Sequence, residues 1–187
     1  MFSKTDPVEQ SYETFKDRLT LMDFKTKVDA LGKKKWDFVR ANFLCQQALR
    51  CKDCEPNVAM VLLCSCAEAM KVAGAKGSHN KFKKFYLNYC PSSLRVPPIK
   101  YYLDGKPSTY NNASFDEALD YIYAKFRCFY VHKGVARLEL PPKDVHLIGN
   151  ELIDKLQKNS NKSYVIDVLN ILGWFSTITK ESLYKIL

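Results

Sequence analysis

Apolar residues recur at helical spacing along most of this chain. Val8, Tyr12, Phe15, Leu19 and Met22 fall three or four apart and predict a helix over 7–30. Gly32 ends it, and Lys33, Lys34 and Lys35 follow. A second helix is predicted over 34–52, with Trp36, Val39, Phe43 and Ala48 on one face. The segment from Cys51 to Cys54 breaks it. Pro56 suits the first turn of a third helix, where its missing N–H is no loss. That helix, over 57–72, is apolar nearly all round, which places it at the centre of a bundle. Gly74 and Gly77 close it, and Ser78 is the candidate cap of a fourth helix running to Tyr89.

Residues 90–112 carry Pro91, Pro97, Pro98, Gly105 and Pro107, so they read as a long irregular connection. A connection of that length is more often functional than inert. Ser114 and Glu117 have capping-box spacing and open a helix to about Val131, with Leu119, Ile122, Phe126 and Phe129 on one face. Lys133 and Gly134 end it. Leu138 to Pro142 is an extended stop. Residues 151–168 predict a small hairpin across Lys158–Lys162, because 163–168 is β-prone. A last helix is expected over 170–185. The fold class is therefore mainly α, with a small C-terminal β-hairpin before the last helix.

A length of 187 residues fits one domain with a real core. It divides into a helical extension (1–32), a core bundle (33–134) and a C-terminal appendage with the last helix (135–187). A hydrophobic share of 47% and an aromatic share of 13% exclude a disordered chain. The net charge of +9 makes a polyanion a plausible partner, nucleic acid before an anionic membrane surface. The alternative is an ordinary basic surface. Residues 1–7 hold no apolar run, so no signal peptide is expected, and no apolar stretch is long enough to span a membrane. Seven cysteines is an odd number for a disulfide scaffold. A cytoplasmic protein with mostly buried, reduced thiols is expected.

The segment that carries chemistry runs from Tyr121 to Gly134. Arg127 and His132 lie on it with four residues between them. On an α-helix their Cα positions are about 140° apart, at roughly 100° per residue. A long arginine and an unwound helix end can still bring both to one groove. Histidine can take a proton from a ribose 2′-OH or give one to a leaving 5′-oxygen. Arginine offers a charged fork to phosphate oxygens. The alternative is structural: His132 on a helix-end carbonyl and Arg127 in a surface ion pair.

The run Phe126-Arg127-Cys128-Phe129-Tyr130-Val131-His132-Lys133-Gly134 resembles the signature of HEPN domains, an Arg and a His with four to six residues between them closing a long helix. The stretch Met60 to Met70, an apolar run with Glu68, is similar to a core helix of the Apea-like branch. The resemblance covers roughly 34–185. It implies an up-and-down helical bundle that dimerises, so that two motifs share one cleft. It also implies a metal-independent endoribonuclease on single-stranded RNA, leaving 2′,3′-cyclic phosphate ends, in a toxin–antitoxin or antiviral setting, with a cognate antitoxin or regulator as a further partner. Other members are binding or dimerisation modules without activity. Arg127 and His132 become the catalytic candidates. One departure stands out: Asn, Asp or His commonly follows the Arg, and here Cys128 does. A thiol is a poor hydrogen bonder.

Glu68 needs a partner on its apolar helix. Either Arg127 takes it, which sets the guanidinium's direction, or it is a rim carboxylate paired with Lys71 or solvent. Lys81, Lys83, Lys84, Tyr130 and Lys133 are the RNA-binding candidates. Phe82, Phe85 and Tyr86 between the lysines, and Tyr101, Tyr102 and Tyr110 beyond them, offer stacking surfaces. For Phe82 and Phe85 a core stripe is the favoured alternative. Cys51 and Cys54 lack a second ligand pair, and His79 and His146 lack zinc-type spacing. No phosphate-loop or dinucleotide motif occurs. No metal and no cofactor are expected.

Overall fold

The structure, a computed structural model, describes residues 6–104, 106, 108–128, 146–148, 151–154 and 161–187. It is mainly helical with a small antiparallel sheet, as the pattern predicts. The helices are α1 (Pro7–Ser11), α2 (Leu21–Ala30), α3 (Lys35–Cys51), α4 (Pro56–Ala69), α5 (Ser78–Tyr89), α6 (Phe115–Ile122) and α7 (Val168–Ile186). The strands are β1 (Ile99–Leu103), β2 (Asn111–Asn112), β3 (His146–Ile148), β4 (Glu151–Asp154) and β5 (Lys162–Asp167). They pair antiparallel in the order β2-β1-β5-β4-β3.

Helix α4 is the hub, packed against α3, α5 and α7. Ala59, Met60, Leu63, Cys64, Cys66 and Ala67 on it are fully buried. Aromatic rings fill the space around it: Phe82 and Tyr86 of α5 meet Phe175 of α7, and Phe15, Phe24 and Phe38 stack near the other end. The buried Tyr86 hydroxyl has a partner in Thr179, 2.7 Å away. Two ion pairs bind the N-terminal segment to α7: a forked Arg18–Glu181 pair (2.8 and 2.5 Å) and Lys180–Asp17 (3.1 Å).

Three expectations change. The helix expected over 7–30 is two, because Thr20 caps α2: its hydroxyl accepts the Asp23 N–H at 3.1 Å. Met22 is consequently 77% exposed, while Phe15, Phe24 and Val28 are buried. On α3 the core face is Phe38, Ala41, Cys45 and Ala48, spaced three and four apart, and Trp36 and Phe43 face outward. The connection over 90–112 is not wholly irregular. It supplies β1 and β2, and β1 pairs along β5 from Ile99↔Ile166 to Leu103↔Lys162. The predicted hairpin is present as β4–β5, extended on both sides. Ser163 to Ile166 are buried at consecutive positions, so both faces of β5 are covered.

The capping box at α6 is complete. Glu117 N–H donates to Ser114 Oγ (3.2 Å) and Ser114 N–H to Glu117 Oε2 (3.0 Å). The other oxygen of Glu117 takes Lys162 Nζ at 2.5 Å, which ties α6 to the start of β5. The Lys162 hydrogen bond holds the Glu117 carboxyl below its ordinary 4.5, and burial opposes it. A carboxyl with a depressed folded-state pKa stabilises above its ordinary value, and that stability is lost as pH falls through the folded value. Acidifying below pH 4.5 should therefore destabilise the protein, and Glu117→Gln should lose this part of the acid dependence in urea unfolding. Ser114→Ala should cost about 1 kcal/mol in the same assay.

Candidate functional site

Glu68 sits one residue before the end of α4, where the apolar helix reaches the rim. Arg127 comes from the continuation of α6, which widens at Tyr123–Cys128 into a π-helical turn. Such turns are rare and concentrate at functional sites. The 140° separation of Arg127 and His132 assumed α-helical spacing, which stops at Ile122. Arg127 Nε donates to Glu68 Oε1 at 3.0 Å, and Nη2 to Oε2 at 3.4 Å. Both side chains are mostly buried, 19% and 15% exposed. Lys71, the alternative partner for Glu68, pairs instead with Asp37 at 3.1 Å.

Burial works against the charge on Arg127, but the bond and charge of Glu68 outweigh it and hold the guanidinium above its ordinary value. Burial and the facing Glu68 carboxylate push the Tyr123 phenol up to about 12. Burial also pushes the Cys128 thiol up, against the pull of Arg127. Cys128 is therefore held as a thiol, which disfavours a nucleophile. Glu68 occupies the Nε–Nη2 edge of Arg127, and Nη1 lies outside the pair.

A second polar group adjoins the first through Tyr123. The His79 ring lies 4.8 Å from the Tyr123 ring, inclined by 33°. His79 Nε2 meets Asp120 Oδ1 at 2.9 Å. Lys83 bonds both oxygens of Asp120 (3.0 and 2.9 Å) and reaches Asp116 at 2.7 Å. The turn into α5 depends on Gly77, whose φ of +75° favours glycine. Gly77 is the cap residue, and Ser78 is the first residue of the helix rather than its cap.

Among the RNA-binding candidates, Lys83 is engaged by Asp116 and Asp120, and Lys84 donates to the Gly74 carbonyl at 3.0 Å. Lys81 is half-buried and makes no ion pair among the described residues. His132, Tyr130 and Lys133 lie outside the described residues. Phe82, Phe85 and Tyr86 are core residues. Tyr101 lies under Lys162 Nζ (4.3 Å), and Tyr102 meets Tyr110 edge-on. Tyr123, His79 and Asp120 went unrecognised as site residues in the sequence. The four-residue spacing of Tyr123 and Arg127 was the available signal.

Four cysteines are buried: Cys45, Cys64, Cys66 and Cys90. Cys51 is half-buried and packs against the core, whereas Cys54 is exposed and does not share the packing role expected of most thiols. Among the described residues no group of three or more His, Cys, Asp or Glu could hold a metal ion, and no helix is long and apolar enough to cross a membrane. No protein-family model, no curated protein and no solved structure matches this chain.

Removing Glu68 leaves a mostly buried guanidinium unpaired. Glu68→Ala should cost about 1.5–3 kcal/mol in urea unfolding, the range for hydrogen bonds to charged groups. Arg127→Met added to it should cost less than the two single changes summed, since they share one interaction. Thiol labelling of the folded protein should modify Cys54 first. Cys45, whose thiol burial pushes up to about 12, and the enclosed Cys64 and Cys66 should react only on unfolding.

Proposed function

We propose that this chain is a HEPN-type endoribonuclease that cleaves single-stranded RNA without a metal, as a cytoplasmic homodimer. Arg127 binds the scissile phosphate and His132 moves the proton. The 2′-oxygen attacks phosphorus and gives its proton to a base, the bond from phosphorus to the 5′-oxygen breaks, and that oxygen takes a proton from an acid. The products carry a 2′,3′-cyclic phosphate and a 5′-OH. In a dimer, the two His132 side chains supply base and acid. A toxin or antiviral-defence role with a cognate regulator follows from the same resemblance.

The observation that carries this reading is the Glu68–Arg127 pair. The resemblance rests on an apolar helix bearing Glu68 and on the motif with Arg127, and these two side chains meet at 3.0 Å across 59 residues of sequence. A carboxylate holding one edge of a guanidinium fixes its direction, which positions it for a phosphate. A second reading, a HEPN module that dimerises and binds RNA or a partner without cleaving it, is favoured by Cys128. Its neutral thiol beside Arg127 orients a phosphate poorly.

The test is single-stranded RNA incubated with the full chain in EDTA. Cyclic-phosphate ends are expected, falling about 10²–10⁴-fold with His132→Ala, the range for general acid–base catalysis. No products, or equal products from His132→Ala, would remove the enzyme reading. RNA retained without turnover, with cleavage gained in Cys128→Asn, would establish the second reading. Affinity should fall steeply with salt, and a flat response would contradict phosphate contacts.

A further inference from the structure

We infer that His79 is a stacking platform for an RNA base beside the Arg127 phosphate site. The inference rests on the RNA reading above and adds a base subsite to it. Rings form a column from the core to the surface. Phe175 meets Phe82 at 6.1 Å, Phe82 meets Tyr123 at 5.0 Å, and Tyr123 meets His79 at 4.8 Å. Phe175 and Phe82 are fully buried and Tyr123 is 9% exposed, but the His79 side chain is 47% exposed. The column ends on a flat ring facing solvent.

That ring is held rather than loose. Asp120 fixes Nε2, and Lys83 fixes Asp120 through both oxygens. Preorganisation of this kind lowers the ordering cost of binding. The charges also indicate which part of a nucleotide belongs here. Asp116, Asp120 and Lys83 together leave one negative charge beside the ring. A phosphate is repelled there, whereas an uncharged base is not. Lys83 already answers one carboxylate, so Asp120 orients the imidazole more than it serves as a lone charge behind it. The anion has its own place next door, because the Tyr123 ring meets His79 and the same side chain interacts with Glu68, the partner of Arg127. Base and phosphate of one strand then fall beside a single phenol. Stacking on an aromatic surface tolerates any base, which suits RNA held without strong sequence preference.

The experiment is fluorescence anisotropy of the full chain with a short fluorescein-labelled oligoadenylate, 2′-O-methylated so that it is not cleaved. His79→Ala is expected to weaken binding about tenfold, within the range for one stacked base. His79→Phe, which keeps a ring but loses the bond to Asp120, should bind between the unaltered chain and His79→Ala. The salt slope should be the same in all three, since stacking releases no counterions. Equal affinity in His79→Ala overturns the inference. So does a His79→Phe protein, folded by circular dichroism, that binds as weakly as His79→Ala, because the imidazole nitrogens then matter and not the ring. A shallower salt slope in His79→Ala also overturns it, since it marks a phosphate contact. If binding falls with Arg127→Ala but not with His79→Ala, this inference alone fails. If the unaltered chain binds no RNA, the RNA reading fails with it.

Discussion

A carboxylate on an apolar helix is the constraint from which the rest of the site follows. Glu68 lies one residue before the end of α4, a helix with no exposed residue, and desolvating an unpaired carboxylate there is too costly for a marginally stable fold. A cation reaching the same rim removes that cost. Arg127 supplies it from an element that begins 47 residues further on, and the pair locks α4 to the turn after α6. Burial together with the Glu68 carboxylate pushes the Tyr123 phenol up, and Glu68 outweighs the burial that works against the charge on Arg127. The pair is mostly but not fully buried, so the attraction is stronger than at an open surface and a ligand can still approach.

The helical frame makes that placement rigid. Helix α4 is flanked by α3, α5 and α7, so the position of Glu68 is fixed by packing and not by a loop. The π-helical turn performs the complementary task on the other side. It keeps Tyr123 and Phe126 in the core while Arg127 reaches across to α4. Lys162 and Glu117 clamp the start of α6 to the sheet, and Tyr164 of β5 packs against Tyr121 further along the same helix. The small sheet is thus a brace for the helix that delivers the arginine.

What could be read from the sequence was whatever local chemistry determines. Ser114 and Glu117 announce their helix by spacing, Pro56 opens α4 where its ring fits, and α5 runs over the residues expected. The need of Glu68 for a partner was also legible from its apolar neighbours, with Arg127, Lys71 and solvent as the alternatives. Non-local choices were hidden. Ile99 to Leu103 follow two prolines and look irregular until β5, about 60 residues later, supplies their hydrogen bonds. Trp36 and Phe43 look like core on spacing alone, but α3 turns Phe38 and Ala41 inward because α4 lies on that side. The Asp120–His79 contact joins residues 41 apart whose side chains gave no hint of each other.

The net charge of +9 acquires a distribution through these contacts. Lys16, Lys25, Lys35, Lys83 and Lys180 are each matched by a carboxylate, so part of the basic composition is neutralised within the fold. Lys76 and Lys81, by contrast, make no ion pair among the described residues, and both flank the start of α5. On the RNA reading, a strand passing Arg127 then meets positive charge on the loop side of α5 and a negative group at Asp116 and Asp120. A polyanion cannot lie evenly over both. Its phosphates follow Arg127, Lys76 and Lys81, and only its uncharged bases can approach the aspartates. An excess of lysine in composition is therefore a weak guide to where RNA sits. The guide is which cations the fold leaves unmatched, and among the described residues Lys76 and Lys81 at the start of α5 are two of them, with Lys33, Lys34 and Arg40 on the approach to and along α3 as others.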